Sequence, residues 1–202
     1  MQGELKVGGK LAAVKISPPG PGLAWKLSNM LTWAYFWGWL TTGAARLFSA
    51  LTGIPTMTGE LRATLIRGDG GRVNYGVVSR RVITTAFVNF MVDQLQTETS
   101  VWGDFKYHDG GVGTTAAAVG DTAIETTDGE SRATGTQTEG AANVYVSVGT
   151  ISYTSTKAVT EHGLFNDSSA GTLLDRSVFS AINVVSGDSI QFTYSLTVSS
   201  GG

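Results

Sequence analysis

The chain has no cysteine. Disulfides, thiolate metal sites and cysteine nucleophiles are excluded, so stability has to come from packing and assembly. Histidine is scarce as well, with His108 and His162 the only two. A metal or acid–base centre built on them would need a third converging group, which the spacing does not supply. Both read as strand or turn residues with ordinary hydrogen bonds. Charge is sparse: 15% of the 202 residues are Asp, Glu, Lys or Arg, against about 25% in an average soluble protein. A surface so poor in charge implies extensive contact with protein or lipid. The net charge is −2, and Arg80-Arg81 is the only adjacent basic pair. That distribution lacks the basic stripe of a nucleic-acid binder.

Glycine is plentiful, at 27 residues, and favours turns and short strands. Three regions differ in composition. Residues 1–22 mix Gly and Pro and end in Ser17-Pro18-Pro19-Gly20-Pro21-Gly22, an extended or turning linker that cannot be helical. Residues 23–54 are apolar and aromatic, and four of the five Trp lie between Trp25 and Trp39. Trp25, Trp33, Tyr35, Phe36, Trp37, Trp39, Leu40 and Phe48 are the candidate assembly contacts, because Trp and Tyr are enriched in protein grooves. The uncharged run from Leu27 to Ala45 is close to the roughly 20 residues needed to span a bilayer. It also holds Ser28, Asn29, Thr32, Thr41 and Thr42, which favours protein contact over membrane contact. A signal peptide fits poorly, because the apolar run starts far from Met1 and follows a Pro-rich stretch.

From Gly59 the pattern becomes that of short strands. Leu61–Arg67, the turn Gly68-Asp69-Gly70-Gly71 and Val73–Val77 predict a hairpin. The turn explains the Arg67-Gly68-Asp69 tripeptide better than integrin recognition does. Ser79 is read as the N-cap of a helix over about 80–96. Its apolar face is carried by Val82, Ala86 and Phe90 and by Ile83, Phe87 and Met91, with Leu95 beyond. Phe105–His108 reads as a strand, and residues 109–141 read as a long surface loop with short pieces of strand. Val144–Val148, Ile151–Thr154, Ala158–Phe165, Leu173–Phe179 and Ser189–Val198 follow as strands. The alternation of Ile190, Phe192, Tyr194, Leu196 and Val198 is the clearest of them. The expected fold is mainly β: an antiparallel β-sandwich, jelly-roll-like or Ig-like, with one α-helix and an N-terminal extended or helical apolar arm. The arm is expected over residues 1–58 and the sandwich over 59–202.

Candidate chemistry is thin. Asp121, Glu125, Asp128 and Glu130 lack the spacing of a calcium loop and read as a solvated acidic loop. Gly110-Gly111-Val112-Gly113-Thr114-Thr115 lacks the lysine and the strand-to-helix context of a phosphate loop. No nucleophile elbow is present in the sequence. Glu161 and Arg176 are expected to pair between neighbouring strands. The reading is of a non-enzymatic protein without cofactor or metal.

Four pieces in order resemble a module of tailed-bacteriophage virion structural proteins. Phe105-Lys106-Tyr107-His108-Asp109-Gly110-Gly111-Val112-Gly113-Thr114-Thr115 with Gly120-Asp121-Thr122-Ala123-Ile124 resembles its strand, Gly-Thr-rich loop and acidic step, with Ile124 in place of the usual Leu. Glu161-His162-Gly163-Leu164-Phe165, then Gly171-Thr172-Leu173-Leu174-Asp175-Arg176-Ser177-Val178-Phe179, then Gly187-Asp188-Ser189-Ile190-Gln191-Phe192-Thr193-Tyr194 resemble three later strands. The resemblance covers about residues 80–200 and leaves the first 60 outside. It implies a virion component made in the host cytoplasm, most simply a capsid decoration (cement) protein whose arm binds the major capsid protein or other virion proteins. It also implies a homo-oligomeric or multicopy state. A tail or head fibre subunit binding a host surface through residues 109–141 is the alternative. A membrane-anchored β-domain protein is the third reading.

Overall fold

The computed structural model describes residues 20–31, 40, 42–45, 47–48, 51–80, 83–96 and 104–200. Trp33, Tyr35, Phe36, Trp37 and Trp39 lie outside the described residues. The strands are β1 (Thr56–Ile66), β2 (Arg72–Ser79), β3 (Tyr107–Gly111), β4 (Ala133–Thr134), β5 (Thr136–Ala141), β6 (Val144–Ser152), β7 (Lys157–Phe165), β8 (Leu173–Val184) and β9 (Ser189–Ser199). Two helices complete the description, α1 (Leu23–Leu31) and α2 (Thr85–Gln96). Residues 40, 42–45, 47–48 and 51–52 are also helical.

All described strand pairs are antiparallel. They make a five-stranded sheet in the order β2-β1-β9-β6-β5 and a four-stranded sheet in the order β4-β3-β7-β8. Period-two alternation decides which side chains meet between the sheets. Ile190, Phe192, Tyr194 and Leu196 of β9 are buried, and Leu61, Ala63 and Leu65 of β1 join them. They pack with Val159 and Leu164 of β7 and with Leu174, Phe179, Ile182 and Val184 of β8. Each large apolar side chain withdrawn from water in this way contributes about 1.5–3 kcal/mol.

The predicted hairpin is present as β1 and β2. Arg67 accepts from the Gly70 amide at 2.9 Å, and Gly70 has a φ of +88°, which a residue with a Cβ adopts at a cost. Arg67 is also ion-paired to Asp188 at 2.6 Å. Asp188 accepts in addition from the Gly68 and Val185 amides. The Arg67-Gly68-Asp69 tripeptide is thus built into the junction of two hairpin turns.

Three expectations change. Ser79 is not a helix cap: it ends β2, buried, with its hydroxyl unpartnered. Thr84 caps α2, its hydroxyl accepting from the Phe87 amide at 3.2 Å and donating to the Leu173 carbonyl. The helix therefore starts five residues later than expected, and Ile83 instead bridges to Asp175 on β8. The short pieces of strand expected in residues 109–141 are most of β3 and all of β4 and β5, but the stretch is not wholly a surface loop, since Asp109, Ala117 and Asp128 are buried. The 58/59 boundary falls inside β1, and α1, placed by sequence in the arm, is docked on the sandwich.

That docking has a physical reason. A strand at a sheet edge exposes unpaired backbone groups. Trp25 of α1 meets Tyr75 of β2 edge-on at 4.5 Å and donates its indole N–H to the Ala181 carbonyl of β8 at 3.1 Å. Asn29 spans the gap between the sheets, donating to Val78 O of β2 and accepting from Ser180 N of β8, both at 3.1 Å. Farther along β8, the Thr84 amide donates to Leu174 O. The edges of β2 and β8 are closed by these contacts. We expect Asn29→Ala, which orphans a buried carbonyl and an amide, to cost about 2–4 kcal/mol, read as a lower urea midpoint. A midpoint unchanged within error would show that the staple is dispensable.

Candidate assembly surface

Trp25, the first of the candidate contacts, is half-buried against its own β8 rather than offered to a partner. Leu40 and Phe48 are exposed, Phe48 by 51%. The other five candidates fall outside the described residues. The aromatic signal in the sequence drew attention away from the aliphatic residues. Leu23, Leu27, Leu47, Leu51 and Ile54 are all exposed, Leu23 by 72% and Leu51 by 76%. On α1, Trp25 and Asn29 are four residues apart and face the sandwich, whereas Leu23 and Leu27, also four apart, face outward. The helix thus carries apolar side chains on a covered and an uncovered side, which an amphipathic-period search would pass over. Pro55, with Gly53 before it at a φ of +71°, ends the helical stretch before β1. Among the described residues, no helix is long and apolar enough to cross a membrane.

The acidic residues of 109–141 are not a solvated loop. The expected Glu161–Arg176 pair is present, with Arg176 Nε donating to Glu161 Oε2 at 2.8 Å. The same guanidinium reaches Asp121 at 3.0 Å and Glu125 at 3.2 Å. Arg176 and Glu161 are buried, on the outer face of the four-stranded sheet. Backbone amides add to the cluster: Thr126 and Glu125 donate to Glu161, Ala118 to Asp121, and Thr115 to Glu125. The Thr115 hydroxyl and amide hold the Glu125 carboxyl below its usual range. A Cβ on Gly111 would stand 2.4 Å from Glu161 Oε1, so only glycine lets the carboxylate lie this close to β3. Nearby, Arg132 pairs with Asp109 at 2.9 Å and stacks 3.5 Å over the Phe165 ring. Lys157 pairs with Glu130 at 2.8 Å and, as the leading cause, pulls the Glu130 carboxyl down to about 2. Residues 112–132 are thereby fastened as a cover over the sheet.

On the inner face, sequence reasoning kept apart two side chains that the fold unites. His108 Nδ1 lies 2.9 Å from His162 Nε2, and His108 Nε2 lies 2.9 Å from Ser147 Oγ. His162 Nδ1 has no partner. Its proton is best placed on Nε2, donating to His108, which in turn donates to Ser147. The ring of His108 fills the space that a Cβ on Gly149 would take, 2.3 Å from its Cδ2. Both rings are sealed from solvent, so neither presents a nitrogen to an outside substrate. No group of three metal-ligating side chains occurs among the described residues. No sequence signal marked the pair, which follows from the strand register that sets Gly110 opposite His162 and His108 opposite Leu164.

Burial pushes His108 down to about 3, and burial with the neighbouring His108 pushes His162 well below its usual value. Burial holds the Asp175 carboxyl well above the carboxylate range. Comparison with protein-family models, curated proteins and solved structures finds no match to this chain.

These three groups give stability a defined pH dependence. Below about pH 6.5 the unfolded chain takes up two histidine protons that the folded chain refuses, so stability falls on acidification. Above about pH 4 the unfolded chain releases an Asp175 proton that the folded chain keeps, so that contribution is lost as pH rises. The histidine contribution is thus present above about pH 6.5 and lost on acidification, whereas the Asp175 contribution is present below about pH 4 and lost as pH rises. Asp175→Asn should therefore gain on the wild type in urea midpoint as pH is raised from about 4 to about 8. A difference between the two proteins that does not change with pH would contradict the assignment. Separately, Arg176→Met leaves Glu161 buried without its cation and should cost about 3–5 kcal/mol, measured by denaturant unfolding.

Proposed function

We propose that this chain is a virion structural protein of a tailed bacteriophage, most simply a capsid decoration protein that binds the major capsid protein through its N-terminal residues. Its sandwich, jelly-roll-like or Ig-like, is the displayed body, and many copies together stabilise the particle. The observation that carries the reading is the row of uncovered Leu and Phe side chains from Leu23 to Ile54 on a chain whose core is otherwise complete. Exposed apolar surface of this kind marks contact sites, and the low charge of the chain agrees with a molecule that works in contact. The resemblance over about residues 80–200 supplies the virion as the setting. In this reading the buried histidine pair and the Arg176 cluster serve the packing of the four-stranded sheet.

The test is immunogold labelling of intact phage particles with antibody raised against the sandwich. Label over the head supports decoration. Label confined to the tail transfers the proposal to the fibre reading, and absence of label from particles removes the virion reading altogether. A quadruple variant, Leu23→Ser, Leu27→Ser, Leu47→Ser and Phe48→Ser, should leave unfolding close to wild type, because surface substitutions usually shift stability by about 0.5 kcal/mol or less each. It should lose co-sedimentation with particles. Undiminished co-sedimentation would place the contact elsewhere.

A further inference from the structure

Period two gives each strand of an antiparallel sheet one face toward the core and one toward the outside, and the apolar face is ordinarily the covered one. The first half of β6 reverses that rule. Its inward positions are Tyr145, Ser147 and Gly149, and the last two make room for His108. Ser147 Oγ lies 2.9 Å from His108 Nε2, and a Cβ on Gly149 would stand 2.3 Å from His108 Cδ2. Its outward positions are Val144, Val146 and Val148, all only partly covered. The register carries this face across the sheet. Val146 lies beside Ser195 of β9 and Thr138 of β5, and Val148 lies beside Thr193 of β9. None of these six outward residues is charged. On β1 the same face carries Glu60 and Arg62. They are paired to each other at 2.7 Å, and Glu60 also pairs with Arg80 at 3.0 Å. Among the described N-terminal residues, Thr42 lies against this face, beside Thr58 and Thr197 at its β1–β9 end.

We infer that the outward face of β6, with its neighbours on β9 and β5, is covered by the same face of a second copy, the two sheets stacked about a two-fold axis. The inference goes beyond the virion reading and does not rest on it, because it uses none of the residues from Leu23 to Ile54. Charge favours a second copy. Like charges set against one another across an interface cost several kcal/mol, and this face has no unpaired sign to repel itself. Shape agrees. All sheets twist with the same hand, so one face nests on a copy of itself at about −30° and about 10 Å, the aligned packing of two sheets. Area agrees too. The four strands β1, β9, β6 and β5 at roughly 4.8 Å, and the nine residues of β6 at about 3.4 Å, give about 600 Å² on each copy. The pair covers about 1,200 Å², the lower end of specific interfaces.

The contact explains why β6 tolerates its reversed pattern. Seating His108 in the core takes the space and the apolar character from the inward positions of β6. The valines that the strand would otherwise turn inward are then buried between two copies. A two-fold contact uses the same patch on both partners and closes at two. Each dimer presents the row from Leu23 to Ile54 twice, which strengthens attachment by avidity where both rows engage one surface.

Because the chain has no cysteine, single substitutions report the contact in the full-length protein without background. Val146→Cys, joined by a short bismaleimide, should give a covalent dimer on a denaturing gel and nothing larger. Ser155→Cys, exposed between β6 and β7, should give at least tenfold less. Light scattering should find the wild type dimeric and the Val146→Arg, Val148→Arg double variant monomeric, with a urea midpoint that shows it folded. Thr193→Arg, beside Val148 on the same face, should also give a monomer without removing an apolar side chain. A monomeric wild type, or a Val146→Cys product no stronger than that of Ser155→Cys, overturns the inference. So does a ladder of higher species, which would make the contact head-to-tail, and so does a folded arginine variant that remains dimeric. A monomeric wild type whose arginine variants lose co-sedimentation with particles gives the face to the capsid instead. Dimers without particle labelling keep the pairing and remove decoration. Head labelling by a monomer keeps decoration and removes the pairing.

Discussion

The architecture of the four-stranded sheet depends on one guanidinium. Arg176 lies on the outer face of β8 beside Glu161 of β7 and draws in Asp121 and Glu125 from the segment above. Removing a guanidinium and a carboxylate from water is costly, and their attraction alone does not reliably repay it. Here backbone amides of residues 115, 118, 125 and 126 supply further hydrogen bonds to the carboxylates. Those bonds give the cluster its structural consequence. A polypeptide stretch with few large apolar side chains is held on a sheet face that would otherwise stand open to water.

The residues that carry the resemblance are those that build this arrangement. Asp121, Glu161 and Arg176 come from three separate pieces of the pattern and meet in one ion cluster. Gly111 gives the carboxylate room, and Asp188 ties the β8–β9 turn to the β1–β2 turn. His162, in the same piece as Glu161, becomes half of the buried pair. Each position has a packing or hydrogen-bonding reason to be what it is. The pattern accordingly speaks for an architecture, and the place of the molecule in an assembly has to be sought where the pattern is silent, in the first 60 residues and on the outward face of β6.

Strands were legible wherever period two was expressed by large side chains, as in β9 and in the β1–β2 hairpin, because alternation directly encodes which face is buried. The Glu161–Arg176 pair was legible because opposite charges on adjacent strands had few other partners. Residues 112–132 were misread because composition reports hydrophobicity, while this segment is held by charge and backbone hydrogen bonds. The helix start was misplaced because Ser79 and Thr84 are equally good caps locally, and only the β8 carbonyl at Leu173 chooses between them. Trp25 was taken for a partner contact because sequence cannot tell an aromatic that covers a neighbour from one that covers its own sheet edge. The role of Asn29 depends on β2 and β8 meeting at the same side of the sandwich, a tertiary fact with no local signature.

The docking of α1 changes the energetics of the proposed assembly. A freely extended arm would lose about 1–2 kcal/mol of backbone entropy per residue on ordering against a partner, and much of the gain from its apolar side chains would go to offset that loss. The backbone of α1 is already fixed by Trp25 and Asn29 against the sandwich, so Leu23 and Leu27 are held outward before any partner arrives. Their burial, at about 1.5–3 kcal/mol each, then counts almost fully toward binding, as in any preorganised surface. The same two anchors leave Gly20 beside β2. One short helix thereby closes two sheet edges and presents an apolar face.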